Sequence, residues 1–277
     1  MLSLFYSIGQ LRLSERGFHF QRKKAGLNFL AKDDVAAEFT AYSQKPCTLM
    51  PMAALTGNLE LELRQFINSK SNAHKLRAIE LVLPTSWGRQ FLVSPLKNAN
   101  SLSDYQGALH KRFVDLFGDD VKAWKLEIEL SISGKSFACA LPSTLLAMCV
   151  RVCEEAGIAL LSVTTTMVAA INKLDSSNFK LGHGDWICCI EGESCHLLMR
   201  SAGGWHALAR FEARDVKNAS YLESLFLRLA LQHGSTVVER CVFIGELETD
   251  WQAWLKKQGD YWIFSVPSLK PDQQVAA

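Results

Sequence analysis

The chain has 277 residues, 48% hydrophobic and 21% charged, enough apolar content for one large core or two smaller ones and too much for a disordered chain. Its formal net charge is +2, and its basic residues are scattered apart from Arg22-Lys23-Lys24, which reads as a solvated strand end, so no electrostatic footprint for nucleic acid stands out. No stretch reaches the roughly 20 uninterrupted apolar residues of a membrane-spanning helix, because Phe137 to Ile171 is broken by Pro142, Arg151, Glu154 and Glu155.

Residues Leu2 to Lys24 alternate apolar and polar side chains around a turn signal at Arg16-Gly17, which predicts an opening hairpin or meander. After the Gly- and Pro-containing stretch Gly26 to Gly57, Leu59, Leu63, Phe66 and Ile67 recur at helical spacing. Ala78 to Leu83 reads as a buried strand stopped by Pro84, and Gln90 to Val93 as another stopped at Pro95. Ser103 is the expected N-cap of a helix reaching Phe117 and ended by Gly118. Strands follow near Trp124 to Leu130 and Phe137 to Leu141. Pro142 then opens a helix with Leu145, Cys149, Val152 and Ala156 on one face and Gly157 as its stop, before a buried strand at Ile158 to Val163.

The pattern then starts again. Trp186 to Ile190, Cys195 to Met199 and Trp205 to Phe211 read as strands, the last two joined at Ser201-Ala202-Gly203-Gly204. Leu222, Leu225, Phe226 and Leu229 form a helical stripe ended by Gly234, and Cys241 to Ile244 is a strand. Leu247, Trp251, Trp254 and Leu255 mark a further helix, with its tryptophans read as core, and Tyr261 to Val266 a closing strand, followed by a polar tail after Pro267. A three-strand opening followed by helices and strands thus occurs twice, from the N-terminus and from about Gly184, with too little identity between halves to be read as a sequence repeat.

Several chemical constellations fail on spacing. Cys188, Cys189, Cys195, His196 and His183 match no zinc-ligand pairing, and neighbours on a strand face opposite ways. Eight cysteines, several within apolar runs, read as reduced core thiols of a cytoplasmic protein, and the start Met1 to Tyr6 lacks the basic region of a signal peptide. Ser86 or Ser143 with His110 or His206 lacks the G-x-S-x-G elbow of a hydrolase. Gly182-His183-Gly184-Asp185 precedes a strand rather than a helix, so it is read as a linker and not as a phosphate loop.

Three segments carry a resemblance: Glu80-Leu81-Val82-Leu83-Pro84-Thr85-Ser86-Trp87-Gly88-Arg89, Cys153-Glu154-Glu155-Ala156-Gly157-Ile158, and Val242-Phe243-Ile244-Gly245-Glu246. With the duplicated plan, they make the chain resemble the PilM family of pilus-assembly proteins and the cytoplasmic domain of the type II secretion L protein, over about residues 2 to 267. That resemblance implies an α/β, two-lobed actin-like ATPase fold, a duplicated RNase H-like architecture. The expected division is residues 1–165, an actin-like lobe with an inserted subdomain, and 166–277, an RNase H-like lobe.

The resemblance also implies a nucleotide cleft, whose acidic residues hold Mg²⁺ on a triphosphate. The residues matching that cleft are Gly9 and Gln10 for the first phosphate turn, Glu191, Gly192 and Glu193 for the second, and Gly245 for the adenine side. No aspartate precedes Asp33, and Ile190 stands at the expected acidic position of the second turn. Phosphoryl transfer rests on neutralising that charge, so hydrolysis is not expected, and the cofactor is none, or ATP without strong metal coordination. The expected role is a non-catalytic scaffold of a pilus or secretion machine, cytoplasmic or peripheral at the inner membrane through its partner, with a homodimer left open. It would bind the cytosolic peptide of a bitopic inner-membrane protein through Pro84, Thr85, Ser86, Trp87 and Arg89. The alternative is an ATP-binding switch or ATPase that uses Glu191 and Glu193.

Overall fold

The computed structural model describes residues 7–13, 17–24, 35–38, 59–69, 76–96, 101–131, 134–176, 181–182, 184–191, 194–201, 203–212, 219–232, 241–245 and 262–263. They form two compact units by contact: Met1–Trp87 with Pro142–Ala169 and Leu269–Ala277, and Gly88–Leu141 with Ala170–Ser268.

The first unit is built on a five-stranded sheet. Strands β1 (Ser7–Leu13), β2 (Gly17–Lys24) and β3 (Val35–Glu38) form an antiparallel meander. Strand β4 (Leu76–Leu83) joins parallel to β1, and β8 (Ala159–Thr165) parallel to β4, giving the order β3-β2-β1-β4-β8. Helix α1 (residues 59–69) supplies the crossover that parallel pairing requires, and buries the predicted stripe Leu59, Leu63, Phe66 and Ile67. Phe66 meets Phe20 of β2 edge-on at 6.1 Å. Helix α3 (Ser143–Glu155) buries Leu145, Cys149 and Val152 and is tied to α1 by Arg151–Glu60 at 2.6 Å and Arg64–Glu155 at 2.7 Å. It ends at Gly157, φ 66°, where Ile158 N donates to Cys153 O, the left-handed stop that glycine allows.

The second unit repeats the plan. Strands β9 (Trp186–Glu191), β10 (Ser194–Ser201) and β11 (Gly204–Glu212) form an antiparallel meander. Strand β12 (Cys241–Gly245) pairs parallel to β9, and β13 (Trp262–Ile263) to β12, in the order β11-β10-β9-β12-β13. Helix α5 (Ala219–Gln232) packs Leu225 and Leu229 on Trp186, Cys188, Cys195, Leu197 and Phe243.

The inserted segment forms a three-stranded sheet in the order β5-β7-β6, from β5 (Arg89–Val93), β6 (Trp124–Glu129) and β7 (Ser136–Pro142). Helix α2 (Leu102–Phe117) lays Leu109 and Phe113 on Phe91, Val93 and Ala138. Its N-cap is Ser101 rather than the expected Ser103: Ser101 Oγ accepts from Asp104 N while the Asp104 carboxylate accepts from Ser101 N, a reciprocal capping box.

This sheet is bonded to β11. Lys135 and Trp205 exchange backbone hydrogen bonds at 3.2 and 2.9 Å, Gly134 N donates to Gly203 O at 2.9 Å, and Ser131 Oγ donates to the same carbonyl. A Cβ on Gly134 would stand 2.8 Å from Gly204 backbone atoms, so these turns meet only as glycines. By contact the segment Gly88–Leu141 therefore groups with the second unit, whereas the sequence reading places it within residues 1–165, and the contact boundary between Ala169 and Ala170 falls inside helix α4 (Thr166–Ser176).

One further local expectation is corrected. The strand β8 is not buried: it is a sheet edge, with Leu161 52% exposed at a register shift against β4. The helix α4 follows it without having been read from the sequence.

Candidate functional site

The turn after β4 is one 3-10 turn, Thr85–Trp87, closed by Trp87 N donating to Pro84 O at 3.1 Å. Pro84 is buried and Thr85 is wholly buried. Thr85 Oγ1 accepts from Met167 N at 3.1 Å, and Thr166 Oγ1 donates to Leu83 O at 3.2 Å. Thr165 Oγ1 accepts from Val168 N at 3.5 Å. The first amides of a helix have no partner within the helix, so these threonines cap α4 and bolt the turn to it. Thr85 is thus a cap and not a partner-facing residue. Ser86 and Trp87 are the half-exposed members of the turn.

Arg89 opens β5 with its guanidinium carbon 5.2 Å from the Phe117 ring centroid and 5.6 Å from that of Trp124. Its Nη2 lies 3.8 Å from Asp119 Oδ2. Stacking of a cation on two rings ties β5 to the end of α2 and the start of β6. Gly88 has no room for a side chain, since a Cβ would stand 3.0 Å from Ala140 O. The sequence reading missed Phe117, Asp119, Trp124 and the α4 cap. The run Thr164-Thr165-Thr166 ahead of Met167-Val168-Ala169-Ala170-Ile171 was the available signal for that cap.

Gly9 and Gln10, matched to the first phosphate turn, lie inside β1. An ideal Cβ on Gly9 would fall into the ring of Phe20, and 2.9 Å from Leu76 Cδ1, so glycine is required there by packing. Gln10 Nε2 donates to Glu80 Oε2 on β4 at 3.1 Å, and Gln10 Oε1 accepts from Arg12 at 3.5 Å.

In the second unit, Glu191 ends β9 and Gly245 ends β12, and parallel pairing of Gly245 with Ile190 brings both to the carboxyl end of the sheet. Ligands of open α/β sheets bind at that end. Ile190 packs on the buried core, while Glu191 is the next strand residue and projects to the other face. Gly192 and Glu193 lie outside the described residues.

The thiols sort the same way. Cys188 and Cys195 share the core face, with sulfurs 3.5 Å apart, whereas Cys189 and His196 pair across strands. Burial pushes the Cys188 and Cys241 thiols well up, and pushes Cys149 up to about 12, so these cysteines stay protonated and behave as apolar groups. Among the described residues no three His, Cys, Asp or Glu side chains are placed to hold a metal. No helix among them is long and apolar enough to cross a membrane.

No protein-family model matches the chain, and no curated protein matches it. Solved structures do. The chain is similar to the cytoplasmic domain of EpsL, an inner membrane component of the type II secretion system of Vibrio cholerae, at 10% identity and TM-score 0.53, covering 98% of this chain and 88% of that one. It is similar to a PilM–PilN type IV pilus biogenesis complex at 11% identity and TM-score 0.57, covering 93% and 88%. It is also similar to a Bacteroides thetaiotaomicron protein of actin-like ATPase fold and unknown function, at 11% identity and TM-score 0.55, covering 95% and 94%. At such identities the likeness is one of fold: the chain has the actin-like ATPase fold, with the RNase H-like sheet order present twice.

Proposed function

We propose that this protein is a non-catalytic scaffold of a type IV pilus or type II secretion-like assembly machine, held at the inner face of the cytoplasmic membrane by a partner's cytosolic tail. The observation that carries this reading is the near end-to-end likeness, in both directions, to the EpsL cytoplasmic domain and the PilM–PilN complex. The chemistry of the phosphate-turn positions supports it. β1 carries no acidic residue, Gly9 is spent on Phe20, and Ile190 is committed to the core. With these two positions not carrying an acid toward the phosphates, a Mg²⁺-bound triphosphate has less to offset its charge.

The docking element is the turn Pro84–Trp87, with Ser86 and Trp87 facing the partner and Thr85 holding it on α4. A half-exposed indole on a turn fixed from behind suits an extended peptide with an apolar anchor, because little side-chain freedom is lost on docking. Calorimetric titration with the synthetic cytosolic tail of the inner-membrane protein encoded beside this chain tests the reading. Micromolar binding is expected, weakened about tenfold by Trp87→Ala. Absence of heat from a folded protein would end the scaffold reading. A clear response to Mg·ATP, lost in Glu191→Gln, would favour an ATP-binding switch instead.

A further inference from the structure

Arg200 of β10 and Trp205 of β11 are register partners, at the end of the second sheet remote from Glu191 and Gly245. The Arg200 guanidinium carbon stands 4.5 Å from the indole centroid, and Trp205 is 1% exposed. Both Trp205 Nε1 and Arg200 Nη1 are shut off from solvent, and neither has an acceptor among the described residues. Buried donors are nearly always satisfied, and a charged one most of all.

The neighbouring acid does not answer this need. Asp185 O accepts from Arg200 N at 2.8 Å, but the Asp185 carboxylate turns back to accept from Gly182 N at 2.6 Å. A second cation stands close by: Lys135 bridges to Trp205 through the backbone and donates its Nζ to His206 O at 2.9 Å. The surroundings are fixed, because Gly134 N donates to Gly203 O, Gly134 packs closely on Gly204 and the Phe137 ring lies 6.1 Å from that of Trp205.

We propose that Arg200 and Trp205 form an oxyanion-binding site, taking a carboxylate or phosphate group. Such a group has two or more oxygens on one centre, so it can accept from the guanidinium and the indole together and supply the counter-charge that a water lacks. The site is independent of the Pro84–Arg89 turn, and either can fail alone.

The test is nuclear magnetic resonance of the full chain, isotope-labelled at the tryptophan indole nitrogens, with the Trp205 signal assigned through Trp205→Phe. Sodium phosphate and sodium acetate are added separately at ionic strength held constant with sodium chloride. The Trp205 indole signal is expected to shift saturably with at least one of the two anions. Saturation by acetate identifies a carboxylate ligand such as an acidic side chain, and saturation by phosphate alone identifies a phosphate group. Arg200→Gln should raise the apparent Kd by about tenfold or more, and Arg200→Lys, which keeps the charge and loses the fork, by less. The other indole signals report whether each variant is folded, and the titration of the unaltered chain decides the matter if a variant is not. An indole signal that stays put, or moves equally and without saturation in all three salts, would overturn the proposal and leave the donors to water.

Discussion

Gly9 lacks a side chain because Phe20 fills the space beside it. Gly9→Ala should therefore destabilise the protein by about 1–3 kcal/mol, and trimming the ring with Phe20→Leu in the same chain should make the added methyl cost less. Denaturant melts check this; a glycine kept only for ligand approach would accept alanine at no loss. Thr85→Val keeps shape and removes the acceptor for Met167 N, so it should cost about 1–2 kcal/mol, whereas Thr85→Ser should cost much less. His196 gives a pH signature. Burial, reinforced by the Arg210 charge, lowers its pKa from the ordinary 6.5 to about 4, so the folded protein holds it neutral. The unfolded chain binds the extra proton below pH 6.5, so stability should be level above that pH and fall between 6.5 and 4, by on the order of 3 kcal/mol from this residue. In His196→Leu that part of the slope should vanish; an unchanged slope would show that His196 is charged in the native state.

Elements punctuated at both ends were legible in the sequence. Gly118 and Gly157 end α2 and α3 as their positions indicate, and the stripe Leu59, Leu63, Phe66 and Ile67 is the buried face of α1. Helix α4 was legible only in part: Thr164-Thr165-Thr166 signals its start, but Met167 N is capped by Thr85, far away in sequence. The Ser103 misplacement has a related cause: two serines stand at the start of the same helix, one before it and one in its first turn, and the choice falls to Asp104, which returns a hydrogen bond to Ser101. The junction at Gly134 and Gly204 was equally hidden, since Gly203-Gly204 signals only a turn until its partner turn is known. Gly204→Ala would collide with Ser131 and Lys135 O and should loosen the junction. Amide exchange at Lys135 and Trp205 should then quicken at least tenfold while β9 and β12 keep their protection. Equal exchange in variant and parent would show that these turns do not hold the three-stranded sheet.

Over the whole molecule, the duplicated plan was readable because each half sets three antiparallel strands before its helices, and both sheets take the same order. The candidate site was readable only in part. Within the segment Pro84 to Arg89, the burial of Thr85 as a cap depends on Met167 and the stacking of Arg89 on Phe117 and Trp124, contacts that no local pattern encodes. This fold, with no acid on β1 and with Ile190 turned into the core, is put forward as a docking body for a membrane partner. A ligand that binds only the folded state raises the melting temperature, so one thermal-melt series decides between the two uses of the fold. With the partner's tail peptide at saturation the melting temperature should rise by several degrees, and with millimolar Mg·ATP it should not move; a rise with Mg·ATP and none with the peptide would contradict the account.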